Sequence, residues 1–248
     1  SRDQLTADDL SEQLARPVQF LGNPFMDPVL AATQPLARAE QPLAHAQHRI
    51  GLLPGSRLPE LEANLQLLLK MSAQLPDNMG ISLQLALVSS LDDKGLNRCA
   101  KAVGWQLRKD RLERQGSPAV QVYRGAFQAV LQHSDLVISM AGTAAEQAVG
   151  LAKPVLQLPG QGPQFTASFA EAQRRLLGPT VFCAPGDSGS RDNLSASAQL
   201  ALQLLERIVH DRDFQHQCQN EALRRLGKSG GGLRMASAIG GLCPSTAP

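Results

Sequence analysis

The chain alternates between short, continuous apolar runs and stretches in which apolar residues recur every three or four positions. Continuous runs are typical of strands buried on both faces of a sheet, and the wider spacing is typical of amphipathic helices. The predicted strands lie at residues 48–53, 81–88, 120–123, 135–139, 155–158 and 180–183. Because helical segments separate them, the order predicts an α/β fold, a Rossmann-like doubly wound parallel sheet of about six strands.

The helical spacing predicts seven helices between and after these strands. They cover residues 60–74, 92–103, 126–133, 143–150, 164–177, 194–209 and 214–226. Residues 105–108 are a candidate strand, and residues 108–114 are predicted as either a charged loop or an edge hairpin. These elements place a Rossmann-like domain at residues 48–227.

The two ends of the chain carry weaker patterns. Residues 1–47 are predicted to hold a helix or mobile leader up to residue 16, a short strand at 17–21 and a proline-containing linker at 32–47. At the other end, three glycines at 230–232 interrupt the helical spacing, so residues 228–248 are predicted to be a flexible tail.

Composition narrows the classes of function. A net charge of +2 disfavours a nucleic-acid-binding protein with a strong basic field, and a single Trp and a single Tyr offer no platform for base stacking. Four scattered cysteines without a CxxC pair argue against a zinc site, and no cofactor or metal is predicted. No signal peptide or membrane-spanning run is present, so a cytoplasmic protein is expected.

The most informative stretch is residues 135–159, which predicts a strand, a glycine turn, a short helix and a second strand. Gly142 allows the backbone to turn and to approach a ligand closely. Thr143 is predicted to cap the helix, and Gly150 lies where the helix should end. The N-terminus of such a helix presents N–H groups and partial positive charge, which suit a phosphate.

Two interpretations of Thr143 and Glu146 remain open. Their spacing matches a capping box, in which each side chain satisfies a backbone donor of the other residue. Alternatively, Gly142 and Thr143 contact a phosphate, and the Glu146 carboxylate accepts hydrogen bonds from a ribose diol, as acidic residues do in other dinucleotide sites.

A second glycine turn follows the first predicted strand, at residues 54–57. Its backbone N–H groups and the Arg57 guanidinium could hold a diphosphate, and the alternative is a capped helix start with a solvated arginine. Neither GxGxxG nor GxxxxGK[ST] is present, which disfavours nicotinamide cofactors and ATP. Both turns fall at the carboxyl ends of strands, where ligands bind in doubly wound sheets.

Three motifs in order resemble the C-terminal half of lipid-A-disaccharide synthase. They are Leu52-Leu-Pro-Gly-Ser-Arg-x-x-Glu60, Ser139-x-Ala-Gly-Thr-Ala-x-Glu146 and Gly150-x-x-Lys-Pro-Val-Leu-x-Leu-Pro159. Leu21-Gly-Asn-Pro-Phe-Met-Asp27 and Gly162-Pro-Gln-Phe-Thr166 are similar to a cyanobacterial group of proteins related to that synthase. The resemblance covers about residues 18–227.

The resemblance implies the C-terminal half of a GT-B fold that binds a UDP-sugar donor for a glycosyltransferase. It also implies a role for eleven residues of this chain. Gly55, Ser56 and Arg57 would contact the diphosphate, and Gly142 and Thr143 would contact a phosphate. The backbone around Tyr123, Arg124 and Gly125 would hold the uracil, and Glu146 would bind the ribose. Gln164 and Phe165 would lie near the donor sugar.

The resemblance also defines what this chain should lack. A GT-B enzyme of this type holds its acceptor and its base on an N-terminal domain, and the roughly 17 residues before the matched region cannot form one, so no catalytic residue is assigned here. The acceptor could be a lipid, with peripheral membrane association through the basic residues of 108–114, although a solvated face is the simpler interpretation of that cluster. The rival functions are a UDP-sugar epimerase of the same fold and a non-catalytic nucleotide-binding module.

Overall fold

The computed structural model describes residues 1, 3–31, 47–58, 60–158 and 167–242. In these residues, eight strands form one sheet. The strands are β1 (His48–Leu53), β2 (Ile81–Leu87), β3 (Gln106–Arg108), β4 (Arg111–Glu113), β5 (Val120–Arg124), β6 (Leu136–Ser139), β7 (Val155–Gln157) and β8 (Val181–Cys183).

The helices of the described residues follow the same alternation with the strands. They are α1 (Gln4–Leu14), α2 (Glu60–Ser72), α3 (Asp93–Lys101), α4 (Phe127–His133), α5 (Gly142–Gly150), α6 (Ala167–Leu177), α7 (Arg191–His210), α8 (Arg212–Arg225) and α9 (Gly231–Leu242). A short 3₁₀ helix covers Pro24–Met26. No helix among the described residues combines the length and the apolar run needed to cross a membrane.

The strand order is β3-β4-β5-β2-β1-β6-β7-β8, and the strands from β5 to β8 in this order run parallel. The α/β class and the doubly wound sheet are therefore confirmed. The predicted count of about six strands is too low, because β3 and β4 form the antiparallel edge hairpin that was one of the two alternatives for residues 108–114. Each has only three residues, and β3 is largely exposed, so neither produces an apolar run.

Two hydrophobic cores lie on opposite faces of the sheet. The larger core packs α2, α3 and α7 against alternate strand residues such as Leu136 and Ile138. The smaller core packs α4 and α5 against the intervening residues, such as Val137. This double coverage explains why β2 is buried along its whole length and why the central strands are continuous apolar runs.

The N-terminal segment packs against the helices of the smaller core. Residues 17–21 do not form the predicted strand, because the Val18 N–H bonds to the Ser11 hydroxyl at 2.8 Å instead of to a neighbouring strand. Met26 and Val29 are buried in the smaller core. The linker predicted at 32–47 lies outside the described residues except for its last residue.

The C-terminal segment also differs from the prediction. Instead of a frayed tail after the glycine run, α9 begins at Gly231. The Asp27 carboxylate accepts hydrogen bonds from the N–H groups of Gly230, Gly231 and Gly232 at 2.7, 3.0 and 2.9 Å. A carboxylate distant in sequence thus caps this helix, which a local sequence pattern cannot reveal.

Candidate functional site

The candidate site lies where the order of the sheet reverses. From β1 the chain continues to β2 on one side, and β6 lies against β1 on the other side. The register pairs Leu53 with Ser139, and the Met140 N–H donates to the Leu53 carbonyl at 2.8 Å. Both glycine turns therefore leave the sheet side by side, at the switch point where doubly wound folds bind ligands.

A cavity of about 650 Å³ opens between these turns and the ends of β2 and β5. It is of the size that small-molecule and cofactor sites occupy. Six of the residues predicted from the sequence line it. They are Gly55, Ser56, Arg57, Gly125, Gly142 and Thr143.

The turn after β1 depends on glycine geometry and on one buried amide. Gly55 has φ +98°, in the region that disfavours other residues, and a Cβ placed there would lie 3.8 Å from the Met140 carbonyl oxygen. Asn64 of α2 is 1% exposed and donates from Nδ2 to the Pro54 carbonyl at 3.1 Å. The turn is thus fastened to the helix that follows it.

The turn after β6 is shorter. The Ser139 hydroxyl accepts from the Ala141 N–H at 3.1 Å and donates to the Ala141 carbonyl at 3.0 Å. Helix α5 then begins at Gly142, with Ala141 as an N-cap that provides no side-chain hydrogen bond. An N-terminus without a side-chain cap, at the wall of a cavity, suits an anionic ligand.

This helix start contradicts the predicted role of Thr143 as a cap. Thr143 lies inside the first turn of α5, and its exposed side chain lines the cavity. The capping box with Glu146 is wrong for the same reason, since the box requires Thr143 at the N-cap. The serine turn at Ser139 allows the helix to begin one residue earlier than the threonine signal indicated.

Glu146 lies one helical turn beyond Thr143 on the same face of α5, because residues three apart are neighbours on a helix surface. It is partly exposed and does not belong to the residues that line the cavity. Its Oε1 accepts a hydrogen bond from Asn23 Nδ2 at 3.2 Å. Contact between Glu146 and a ribose remains a prediction.

The end of β5 contributes to the cavity through Gly125 alone, which has φ +66°. The Arg124 guanidinium instead donates to the Leu91 carbonyl at 2.6 Å and to the Asp93 carboxylate at 2.8 Å. Burial raises the pKa of the Tyr123 phenol, and the Asp110 carboxylate raises it further. Gln164 and Phe165 lie outside the described residues.

Sequence reasoning did not single out several residues that line the cavity. They include Asn64, Ser89, Phe127 and Gln147. A signal for Asn64 was present, since it is the one polar position between Leu61 and Leu65 on the apolar face of α2. Ser89 lies in a loop and Gln147 in a helix, and the sequence alone does not show that their side chains face the cavity.

The charges at the cavity are few. Among the described lining residues, the charged side chains are Arg57, which is exposed, and Glu60 in the first turn of α2. No group of three or more His, Cys, Asp or Glu residues that could hold a metal ion occurs in the described part of the chain. Among the described residues, Arg57 and the N-termini of α2 and α5 are suited to attract an anion.

Comparison with solved structures identifies the fold. The chain aligns over its full length with 60% of a protein from Listeria monocytogenes assigned as a UDP-N-acetylglucosamine 2-epimerase, at 17% identity and a TM-score of 0.61. It aligns over 96% of its length with 59% of MnaA from S. aureus, solved with UDP, at 15% identity and a TM-score of 0.58. A calicheamicin glycosyltransferase gives 16% identity, 98% and 61% coverage and a TM-score of 0.54.

These likenesses place the chain in the Rossmann-like fold of GT-B glycosyltransferases and nucleotide-sugar epimerases. The chain spans about 60% of the length of these three structures. No protein-family model matches the chain, and no curated protein matches it in sequence. The narrower likeness to lipid-A-disaccharide synthase therefore remains a resemblance of motifs.

Proposed function

We propose that this chain is the donor-binding domain of a UDP-sugar-dependent glycosyltransferase. The observation that carries the proposal is the cavity at the switch point, because two glycine turns and two helix N-termini meet at its wall. This arrangement suits a diphosphate that bridges the turns. The S. aureus structure was solved with UDP, which makes UDP the first ligand to test.

Each wall of the cavity would bind a different part of the UDP-sugar donor. N–H groups at Gly55 and Ser56 and at the start of α5, together with Arg57, would hold the diphosphate and stabilise its charge as the acceptor hydroxyl displaces it. Uracil would lie along the backbone at Gly125, and the ribose would reach toward Glu146. The donor sugar would extend toward Gln164 and Phe165.

The acceptor-binding site and the catalytic base would be supplied by another domain of the enzyme. A lipid acceptor and peripheral membrane binding remain predictions from the motif resemblance. The alternative of a UDP-sugar epimerase is favoured by the likeness to the epimerase-assigned Listeria protein, whose TM-score of 0.61 exceeds the 0.54 of the glycosyltransferase. Isomerisation of a UDP-sugar without an acceptor would select it.

Calorimetric titration of UDP, UMP and inorganic phosphate into the chain, with thermal unfolding at the same concentrations, tests the site. A ligand that binds only the folded state stabilises it by RT ln(1 + [L]/Kd), so UDP should raise the melting temperature. Arg57→Ala should weaken UDP about tenfold and UMP less, since a hydrogen bond to a charged group is worth roughly 1.5–3 kcal/mol.

Arg98→Ala is the matched control, because Arg98 is an exposed arginine of α3 that pairs with Glu62 away from the cavity. It should leave UDP affinity unchanged. No binding of millimolar UDP to the folded chain would remove the proposed donor site. Sugar transfer by this chain alone would show that the chain already contains the acceptor-binding site and the base.

A further inference from the structure

We propose that Asn23 is a positioning residue that orients the Glu146 carboxylate for a ribose diol. The inference rests on the proposed function, because it concerns the nucleotide that the cavity would bind. Asn23 lies in the N-terminal segment, more than a hundred positions from Glu146 in the sequence, and nothing in the local pattern of either residue links them.

The orientation of the Asn23 amide is fixed by two different partners. Its Oδ1 accepts from the Phe25 N–H at 3.0 Å, which only an oxygen can do, so the Nδ2 group points to Glu146 Oε1 at 3.2 Å. The residue is 7% exposed, and its own N–H donates to the Leu226 carbonyl at 2.9 Å. The donor is therefore held in place before any ligand arrives.

This donor is suited to orient a carboxylate without neutralising it. A carboxylate has about four lone-pair positions, and one N–H from Asn23 occupies one of them. The amide carries no charge, so its hydrogen bond to Glu146 is not an ion pair. An arginine or lysine at position 23 would instead form an ion pair and compete with the ligand.

The segment around Asn23 is anchored to the same helix by further contacts. Gln147 Nε2 donates to the Phe25 carbonyl at 2.9 Å. Met26 packs so closely on Gly150 that a Cβ there would collide with the Met26 sulfur. Residues 23–26 thus follow α5 along its length, and a fixed carboxylate on that helix selects ligands by geometry.

The consequence is that discrimination between ribose and deoxyribose depends on Asn23. The parent chain should bind UDP more tightly than 2′-deoxy-UDP, by about tenfold or more, because the missing hydroxyl leaves part of the carboxylate unpaired. Without the Asn23 donor, the carboxylate loses this orienting hydrogen bond, and the ratio of the two dissociation constants should fall toward one.

Calorimetric titration of UDP and 2′-deoxy-UDP into a set of variants tests this inference. Asn23→Asp keeps the shape and the acceptor for the Phe25 N–H but places a negative oxygen against Glu146. Asn23→Ala removes both hydrogen bonds. Each variant should raise the Kd of UDP about tenfold and that of 2′-deoxy-UDP much less.

Asn23→His is the rescue variant, since a neutral imidazole also combines one acceptor with one N–H donor. It should retain more of the discrimination than Asn23→Ala. Gln132→Ala is the matched control, because Gln132 Nε2 donates to the Val29 carbonyl and so supports the same segment away from Glu146. It should lower the melting temperature and leave the discrimination intact.

The outcomes separate this inference from the proposed function. Folded parent that binds neither nucleotide removes both. If UDP binds and Glu146→Gln abolishes the discrimination while folded Asn23→Asp and Asn23→Ala preserve it, the donor site stands and the positioning role is refuted. Loss of discrimination in Gln132→Ala as well would show that the segment acts only as packing.

Discussion

The two glycine turns at the cavity are built in different ways. The turn after β1 needs a glycine with φ +98° and is fastened by Asn64, a residue of the helix that the turn itself leads into. The turn after β6 passes directly into α5 at Gly142, and contacts from Asn23 and Phe25 support that helix from the N-terminal segment.

The two turns therefore differ in whether the residues that support them are near or far in the sequence. The first turn depends on an interaction that spans ten residues of sequence, whereas the second depends on interactions that span more than a hundred. We therefore expect substitutions at the first turn to affect folding and binding together. Substitutions at the second turn, or at the residues of the N-terminal segment that support it, should change folding and ligand binding independently.

The largest effect is expected from Asn64→Asp. This change removes the donor to the Pro54 carbonyl and places a carboxylate in a site that is 1% exposed. An unpaired buried polar group costs about 1–3 kcal/mol and a charged one more, so the free energy of unfolding should fall by about 3 kcal/mol or more.

Urea unfolding monitored by circular dichroism measures this change. Asn97→Asp is the control, because it makes the same chemical change at a partly exposed position of α3. Equal losses in the two variants would mean that Asn64 does not hold the turn.

Gly55→Ala and Gly142→Ala compare the two turns directly. Alanine at φ +98° is strained, so Gly55→Ala should lower the free energy of unfolding by about 1–3 kcal/mol and weaken UDP binding. Gly142 is the first residue of α5, where alanine is at least as favourable as glycine.

Gly142→Ala should therefore leave stability unchanged or slightly higher, and should weaken UDP binding only if a phosphate approaches the backbone there. Urea unfolding and calorimetric titration of both variants give the two quantities. Similar destabilisation in both variants would remove the distinction between the turns.

Asp27→Asn tests the contact between the N-terminal segment, which supports α5, and the start of α9. The N–H of Gly232 lowers the pKa of Asp27 below its ordinary value of 3.8, with burial opposing and with Gly230, Gly231 and Arg234 adding to the decrease. A pKa that is lower in the folded state stabilises the fold above the unfolded pKa, and this stabilisation is lost as the pH falls through the folded pKa.

Both carboxylate oxygens of Asp27 accept from glycine N–H groups, and asparagine would replace one of them by an NH2 group that cannot accept. Asp27→Asn should therefore be less stable than the parent by about 1 kcal/mol between pH 5 and pH 7. The difference should vanish below the folded pKa, where the parent carboxyl is protonated. Asp9→Asn, an exposed position of α1, is the control for the loss of charge alone. A difference that persists at low pH would contradict the role of the carboxylate charge.

Part of the fold and of the site could be predicted from the sequence. The parallel strands and both glycine turns were correct, because double burial produces continuous apolar runs and glycine marks the turns between them. The edge hairpin was one of the two alternatives predicted for residues 108–114, and it is the one observed. The Asp27 cap and the Asn23–Glu146 contact were not predictable, since they depend on partners far apart in the chain. The N-cap of α5 was placed at Thr143 instead of Ala141, and the predicted helix therefore begins one residue late, because the Ser139 hydroxyl organises the turn.

Thr143→Ala has the smallest expected effect and distinguishes a cap from a ligand contact by the sign of the stability change. Loss of an N-cap threonine costs about 0.5–2 kcal/mol, whereas threonine to alanine inside a helix gains up to about 0.7 kcal/mol. Because the α5 helix already includes Thr143 and Ala141 is its N-cap, the variant should be as stable as the parent or slightly more stable in urea unfolding.

If the Thr143 hydroxyl donates to a phosphate, the same variant should weaken UDP binding about tenfold or more in calorimetric titration, the usual worth of one hydrogen bond to a charged group. Thr6→Ala is the control, because Thr6 is an exposed helical threonine of α1 that does not line the cavity. Its affinity for UDP should equal that of the parent. A Thr143→Ala variant that loses more than about 0.5 kcal/mol of stability while UDP affinity is unchanged would restore the capping role and remove Thr143 from the phosphate site.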